Sequence, residues 1–408
     1  MKITRTLVLL AVLSVAAAAS AQTVVRYLQP GVDQPGLREP VEEIIAGFEA
    51  ENPDIEVRLE SVGWGDAYQK ITADLMADNA ADLMYVGARW IPAFAAIGGL
   101  HPLDDYVDAE KLAMFPEGLM EGQYFGESLY ALPIAFSTKV LYYRTDLIET
   151  APTTWDELLD AAIRVTEDTD LLGIGLPGAA HVGTVQQFQN FLYQAGGSFF
   201  DEDGHVNLET PEAREALAYY TAFHTEHGVT PNPIEFNREE LPTLFGEGRV
   251  AMIINGPWAR TISGAETDDP DTPYATAVLP CHVRCGGIQG ADSLVIAANS
   301  DVADAAYRFA DYLTSFGPHT ERVLNAGLVP MLEGQAELDE FQTPFWQPYI
   351  EMVDQGFPEA QPLAWEPFQQ IVTDMIQSVL LGSTDVDAAL ATAAEQIRDQ
   401  GLEPASAR

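Results

Sequence analysis

What most limits the fold of this chain is an alternation of short apolar runs with segments of helical period, beginning at Thr23 and recurring nearly to the C-terminus. Thr23 to Leu28 (TVVRYL) reads as a buried strand, and Glu39 to Ala50 carries Val41, Ile44, Ile45 and Phe48 on one helical face. Asn52-Pro53-Asp54 stops that helix, and Ile55 to Leu59 alternates as a second strand. Tyr68, Ile71, Leu75 and Met76 then recur at helical spacing before a third strand, Asp82 to Val86. Strands separated by helices predict a mostly parallel sheet covered by helices. Ligands in such sheets sit beyond the carboxyl ends of the strands.

The pattern continues through the rest of the chain. Leu129 to Ile134 and Lys139 to Tyr143 read as strands, and Thr154 with Glu157 has the capping-box spacing that opens a helix. Val185 to Ala195 and Ala213 to His227 are helical in period. Val250 to Ile254 is a short strand entering the turn Asn255-Gly256-Pro257-Trp258, and Ser293 to Ala297 precedes a helix over Ala303 to Thr314. The tail from Pro367 to Gln400 is largely helical, with Val386, Leu390, Ala394 and Ile397 on one face.

The N-terminus obeys a different logic. Lys2 and Arg5, the apolar run Leu7 to Ala19 and the sequence Ala19-Ser20-Ala21 form a secretory leader over residues 1–21, cleaved before Gln22. The run is shorter than the roughly 20 residues a bilayer span needs. With no cysteine near the cleavage point, the exported product is expected in the periplasm or outside the cell, without a lipid anchor. Residues 22–408 suit two domains at roughly 150 residues each.

Charge excludes whole classes of partner. The 62 Asp and Glu against 20 Lys and Arg give a formal net charge of −42, and the only lysines are Lys2, Lys70, Lys111 and Lys139. Such a surface repels nucleic acid and anionic lipid, and suits a saline setting in which ions screen self-repulsion. Cys281 and Cys285, in an exported chain, read as a disulfide closing a tight loop. His282 between them does not make a metal site. No G-x-S-x-G, H-E-x-x-H or P-loop pattern is present. A glycosidase needs two placed carboxylates, and among so many acids such pairs arise by chance. No catalytic residue, metal or cofactor is expected.

Taken in order, these segments resemble the family 1 extracellular solute-binding proteins of ABC importers, the group that includes maltose- and trehalose-binding proteins. The resemblance is carried by Phe48-Glu49 followed by Asn52-Pro53-Asp54-Ile55, by Pro152 to Leu158 (PTTWDEL), and by Gly286-Gly287 ahead of Ser293 to Ile296. Its most specific part is Phe245 to Met252 (FGEGRVAM) running on to Asn255-Gly256-Pro257-Trp258. Ala81 stands where the family usually has proline. The likeness covers nearly the whole chain beyond residue 21. It implies an α/β fold of two lobes, each a mostly parallel sheet flanked by helices, with a hinge cleft between them. Residues 22–134 plus 281–330 would form the first lobe and 135–280 plus 331–408 the second. The chain would cross near Ile134 to Thr138, Leu279 to Cys281 and Leu328 to Leu332, with the disulfide just after the second crossing. The implied activity is that of a non-enzymatic monomer. It would capture a mono- or oligosaccharide between closing lobes and deliver it to the permease of an ABC transporter.

A sugar ring has an apolar face and a rim of hydroxyls, so its site needs flat aromatic surface ringed by short polar groups. In the implied cleft, Trp258 is the leading stacking candidate, because the turn after a strand presents it. Arg89 and Trp90 stand beyond the carboxyl end of the Asp82 strand, Trp64 opens a helix, and Trp365 lies where family members place a late aromatic. Ser137 and Thr138 follow a crossing strand where the maltose-binding protein uses an acidic residue. Gln29 ends the first strand. Gly290 allows close backbone approach, and Asp292 is an acceptor for hydroxyls. Two other cargoes were weighed. Tyr142-Tyr143 and Tyr219-Tyr220 resemble the tyrosine pairs of ferric-ion binders, yet their strand and helix contexts point them apart. An acidic cleft would suit a polyamine, although the tryptophan-bearing loops fit sugars better.

Overall fold

A computed structural model describes residues 22–33, 38–264 and 273–404; the expected leader lies outside the described residues. In the first lobe, strands β1 (Thr23–Pro30), β2 (Ile55–Val62) and β3 (Leu83–Gly87) run parallel, and β1 lies between the other two. Helix α1 (Arg38–Glu51) joins β1 to β2, and α2 (Trp64–Met76) joins β2 to β3. Val41, Ile44, Ile45 and Phe48 of α1 are all buried, as their spacing predicts. Phe48 packs 4.9 Å from Phe309 of the helix Ala303–Leu313, and Tyr27 of β1 packs 5.4 Å from the same ring. Each such buried side chain contributes about 1.5–3 kcal/mol.

Beyond β3 the sheet stops being parallel. The long strand Ile288–Ile296 runs antiparallel to β3 on one side and to Ala131–Ser137 on the other. These two strands carry the chain to and from the second lobe instead of continuing through helical crossovers, so nothing obliges them to run with β1 to β3. The second lobe departs further from the parallel expectation. Val140–Arg144 lies between Met252–Asn255 and Tyr274–Ala277 and is antiparallel to both. Parallel pairing survives there in single bridges, Leu172 with Val250 and Gly175 with Ile253. Around this sheet pack the helices Trp155–Asp168, Val182–Gln194, Pro211–Thr225, Trp365–Leu380 and Val386–Asp399. Thr154 caps the first of them by accepting from the Glu157 N–H at 3.2 Å, whereas the Glu157 carboxylate accepts from Thr153 N–H at 2.7 Å.

Three stretches lead between the two sheets. The first lies between the strands that end at Ser137 and begin at Val140. The second runs through the disulfide loop. Cys281 and Cys285 are bonded (S–S 2.08 Å), and Cys281 is bridged to Thr154 in the second lobe. His282 stacks 4.5 Å from Trp155 and its ring lies 2.9 Å from Glu215, so this loop is held by the second lobe until Ile288 enters the first-lobe sheet. At the third crossing, Met331 and Leu332 donate their N–H groups to Gln335, which donates in turn to His319 and Thr320 of the first-lobe helix Phe316–Ala326. Second-lobe contacts begin near Phe345, whose carbonyl accepts from Thr276 at 3.0 Å. Among the described residues no helix is long and apolar enough to cross a membrane.

Candidate functional site

Side chains link the end of β3 to the turn after Met252–Asn255: Arg89 lies beside Glu359, Glu359 accepts from Gln186, Gln186 bonds Arg238 and Arg238 lies over Trp258, while Lys139 joins Ser137 to the same ring. Two glycines set the side chains at this meeting place. Gly87 ends β3, and a Cβ there would lie 2.6 Å from a terminal nitrogen of Arg89. Gly256 lets Trp258 fold back, because a Cβ there would lie 2.2 Å from its ring. Asn255 fixes that turn: its Oδ1 accepts from Gly256 N–H at 2.8 Å and its Nδ2 donates to the Arg238 carbonyl at 3.0 Å.

Arg89 is the centre of the first-lobe half. Its guanidinium is 3.8 Å from Asp292 and 3.8 Å from Glu359. It also lies 5.1 Å from the Trp90 ring centroid and 5.5 Å from that of Trp365. It donates no hydrogen bond among the described residues, and its Nε is buried without a partner. Burial pushes the Asp292 and Glu359 carboxyls above their usual range, and Arg89 opposes the push in both. Tyr85 donates to Asp292 at 3.1 Å and Gln186 to Glu359 at 2.7 Å. The other Glu359 oxygen, Oε2, is buried and accepts no hydrogen bond among the described residues.

The second-lobe half is built on Trp258. The Lys139 ammonium is 4.8 Å and the Arg238 guanidinium 5.1 Å from its ring centroid. Lys139 is 1% exposed and donates to Ser137 at 3.2 Å. Burial and then Arg238 hold its pKa well below the ordinary lysine range. Arg238 bonds Gln186 and pairs with Glu239 at 2.7 Å. Burial, reinforced by Arg238, also lowers His181 to about 4.

The ten residues singled out in the sequence differ in their surroundings. Trp64 and Trp258 are half-buried and keep part of their surface open. Trp90 and Trp365, expected to offer open faces, are 3% and 1% exposed. Trp90 is covered by Trp64 (5.8 Å) and Tyr68 (5.6 Å), Trp365 by Phe368 (5.7 Å), and both back Arg89. Gln29 is already engaged, accepting from Tyr27 at 2.9 Å and from Arg322 at 3.4 Å. Thr138 is fully buried, and its hydroxyl has no partner among the described residues. Gly290 borders Ser137 and Gln186.

Five participants escaped the sequence reading: Lys139, Arg238, Arg322, Glu359 and Tyr85. Lys139 had a signal, being one of four lysines and adjoining Thr138. The others come from scattered positions with no local pattern. Four cations, Arg89, Lys139, Arg238 and Arg322, meet here in a chain of net charge −42. The iron-type tyrosines are used internally: Tyr142 donates to Gly256 O, Tyr219 to Trp155 O and Tyr220 to Pro177 O.

Two α/β lobes enclosing a polar, aromatic-lined site, with the chain crossing repeatedly between them, define a binding protein whose lobes hold a solute between them. The chain belongs to the bacterial extracellular solute-binding protein family, whose model matches residues 32–316. A binding protein of Brucella abortus (strain 2308) is 30% identical over 370 residues, which are 86% of this chain and 87% of that one. The maltotriose-binding protein of Pyrococcus abyssi is 26% identical over 310 residues, 73% of this chain and 65% of its own. In structure, the chain is similar to an ABC transporter solute-binding protein of Thermotoga lettingae bound with α-D-tagatose. The TM-score is 0.82 at 27% identity, over 93% of this chain and 99% of that one. The protein is therefore a non-enzymatic solute-binding component of an ABC transporter.

Proposed function

We propose that this protein captures a carbohydrate between its lobes and presents it to the permease of an importer. The observation that carries this reading is the pairing of partly open indole faces with buried polar atoms that lack partners. Trp64 and Trp258 supply the faces. Trp90 Nε1, Trp258 Nε1, Thr138 Oγ1, Arg89 Nε, Arg322 Nε and Glu359 Oε2 are all buried without a hydrogen bond among the described residues. Buried polar groups are normally satisfied, and a sugar brings both a stacking face and a rim of donors and acceptors. The sugars named for the relatives above support the same reading.

Capture by hinge closure follows from the site's division between the lobes. The lobes are residues 22–134 with 286–335 and 138–285 with 345–404. The working form begins at Gln22 after loss of the leader and acts as a monomer. Titration calorimetry against a panel of mono- and oligosaccharides, with spermidine and ferric ion as controls, tests the reading. Saturable binding of a sugar is expected. Silence from every sugar, with binding of either control, overturns it.

A further inference from the structure

The cations of the cleft stand out against the chain that holds them. Arg238, 8% exposed, is as deeply buried as the other three, Arg89, Lys139 and Arg322, at 8%, 1% and 7%. A guanidinium or ammonium carries several N–H donors and no acceptor, yet these three groups make only two hydrogen bonds among the described residues, Lys139 to Ser137 and Arg322 to Gln29. Lys139 and Arg322 form no ion pair among those residues. The remaining surface of each is turned on aromatic rings, Trp258 at 4.8 Å and Tyr85 at 5.1 Å. Burying a charge without a counterion is costly. Arg238 is different, because Glu239 balances it at 2.7 Å.

Two carboxylates stand among the three under-used cations. Arg89 touches Asp292, while Arg322 and Lys139 act on it from further away. Glu359 is shared with Arg89 alone at contact distance. The four cations are all deeply buried, and of the carboxylates acting on them, Asp292, Glu239, Glu359 and Glu366, only Glu359 is buried to the same depth, in a chain of net charge −42. Resting on the carbohydrate reading above, we propose that the captured sugar carries an anionic group, a uronic-acid carboxylate or a phosphate ester, held by Lys139, Arg322 and Arg89. Carboxylate and phosphate oxygens match the fork of a guanidinium and charge-assisted hydrogen bonds are the strong ones. The sugar's hydroxyls are left to Glu359 and Asp292, and its ring face to Trp258.

The test is calorimetry on the full chain after residue 21, pairing neutral sugars with charged counterparts: galactose with galacturonate, glucose with glucuronate and with glucose 6-phosphate. The charged member of a pair is expected to bind about tenfold tighter or better, and which arm responds separates carboxylate from phosphate. Lys139→Met and Arg322→Gln, each checked for an unchanged melting profile, are expected to lower the ratio of charged to neutral affinity about tenfold, erasing the preference. A variant that unfolds is replaced by Arg89→Lys, which keeps the charge but loses the fork and is expected to shrink the preference. Equal or tighter binding of the neutral sugars overturns the proposal and leaves the carbohydrate reading intact. Binding of spermidine or ferric ion with no sugar, neutral or charged, overturns both.

Discussion

The two halves of the site hold their tryptophans in opposite ways. On the first lobe, Trp64, Tyr68, Tyr85, Trp90 and Phe94 lean on one another, with Trp64 5.7 Å from Tyr85 and Tyr68 stacked 5.5 Å from Phe94. On the second lobe, Trp258 has no aromatic neighbour among the described residues and is gripped by Lys139 and Arg238. The first arrangement is held by packing and stays in place whatever the solvent. The second is held by charge and a tight turn, and is free to exchange a protein cation for a ligand. Under the proposed function, the first lobe supplies the wall and the second the gripping surface.

Trp90→Ala attacks the wall and is expected to have the largest effect, a loss of about 3–5 kcal/mol of stability. Chemical denaturation measures it, and a loss confined to affinity would mean that the wall is not load-sharing core at all. Acid is expected to weaken the first lobe next. Burial, helped by Arg322, lowers His319 to about 3. Its Nδ1 accepts from Gln335 at 2.9 Å, so protonation breaks that bond. An unfolded histidine titrates near 6.5 (about that in model peptides), so below this value the unfolded chain binds a proton that the folded one refuses. Stability is therefore lost as pH falls from about 6.5 toward 3, at up to about 1.4 kcal/mol per unit. Melting temperatures across that range should fall less steeply in His319→Gln; identical slopes would show that His319 is not the sensor.

Trp258→Ala attacks the gripping surface. It should weaken ligand binding by about 1–3 kcal/mol with the melting temperature nearly unchanged. A fall in stability at constant affinity would put Trp258 with the wall and dissolve the contrast. The smallest effect is expected from Cys281→Ser with Cys285→Ser, because so short a loop contributes about 2 kcal/mol or less. Since that loop is anchored to the second lobe by Thr154 and Trp155, ligand affinity should survive reduction.

Local patterns in the sequence reveal what local physics determines. The faces of α1 and of the Val386–Asp399 helix, the Thr154 cap and the turn at Trp258 follow from neighbours a few residues apart. The surroundings of the crossings are not local in this sense, because Cys281 and Gln335 are held by Thr154 and His319, partners outside their own segments. The same holds for the electrostatics of the site. Residues 89, 139, 238, 322 and 359 share no spacing, and only the fold brings them together.

Cations recessed beneath an acidic exterior separate how fast a ligand arrives from how firmly it stays. A negatively charged solute approaching this protein first meets the long-range field of −42 net charge, which slows encounter. Salt shortens the reach of that field to about 10 Å at 0.1 M, while contacts inside the cleft are screened far less. Association with such a solute should therefore quicken as ionic strength rises, the reverse of ordinary electrostatic steering, so that brine would act as an accelerator of uptake.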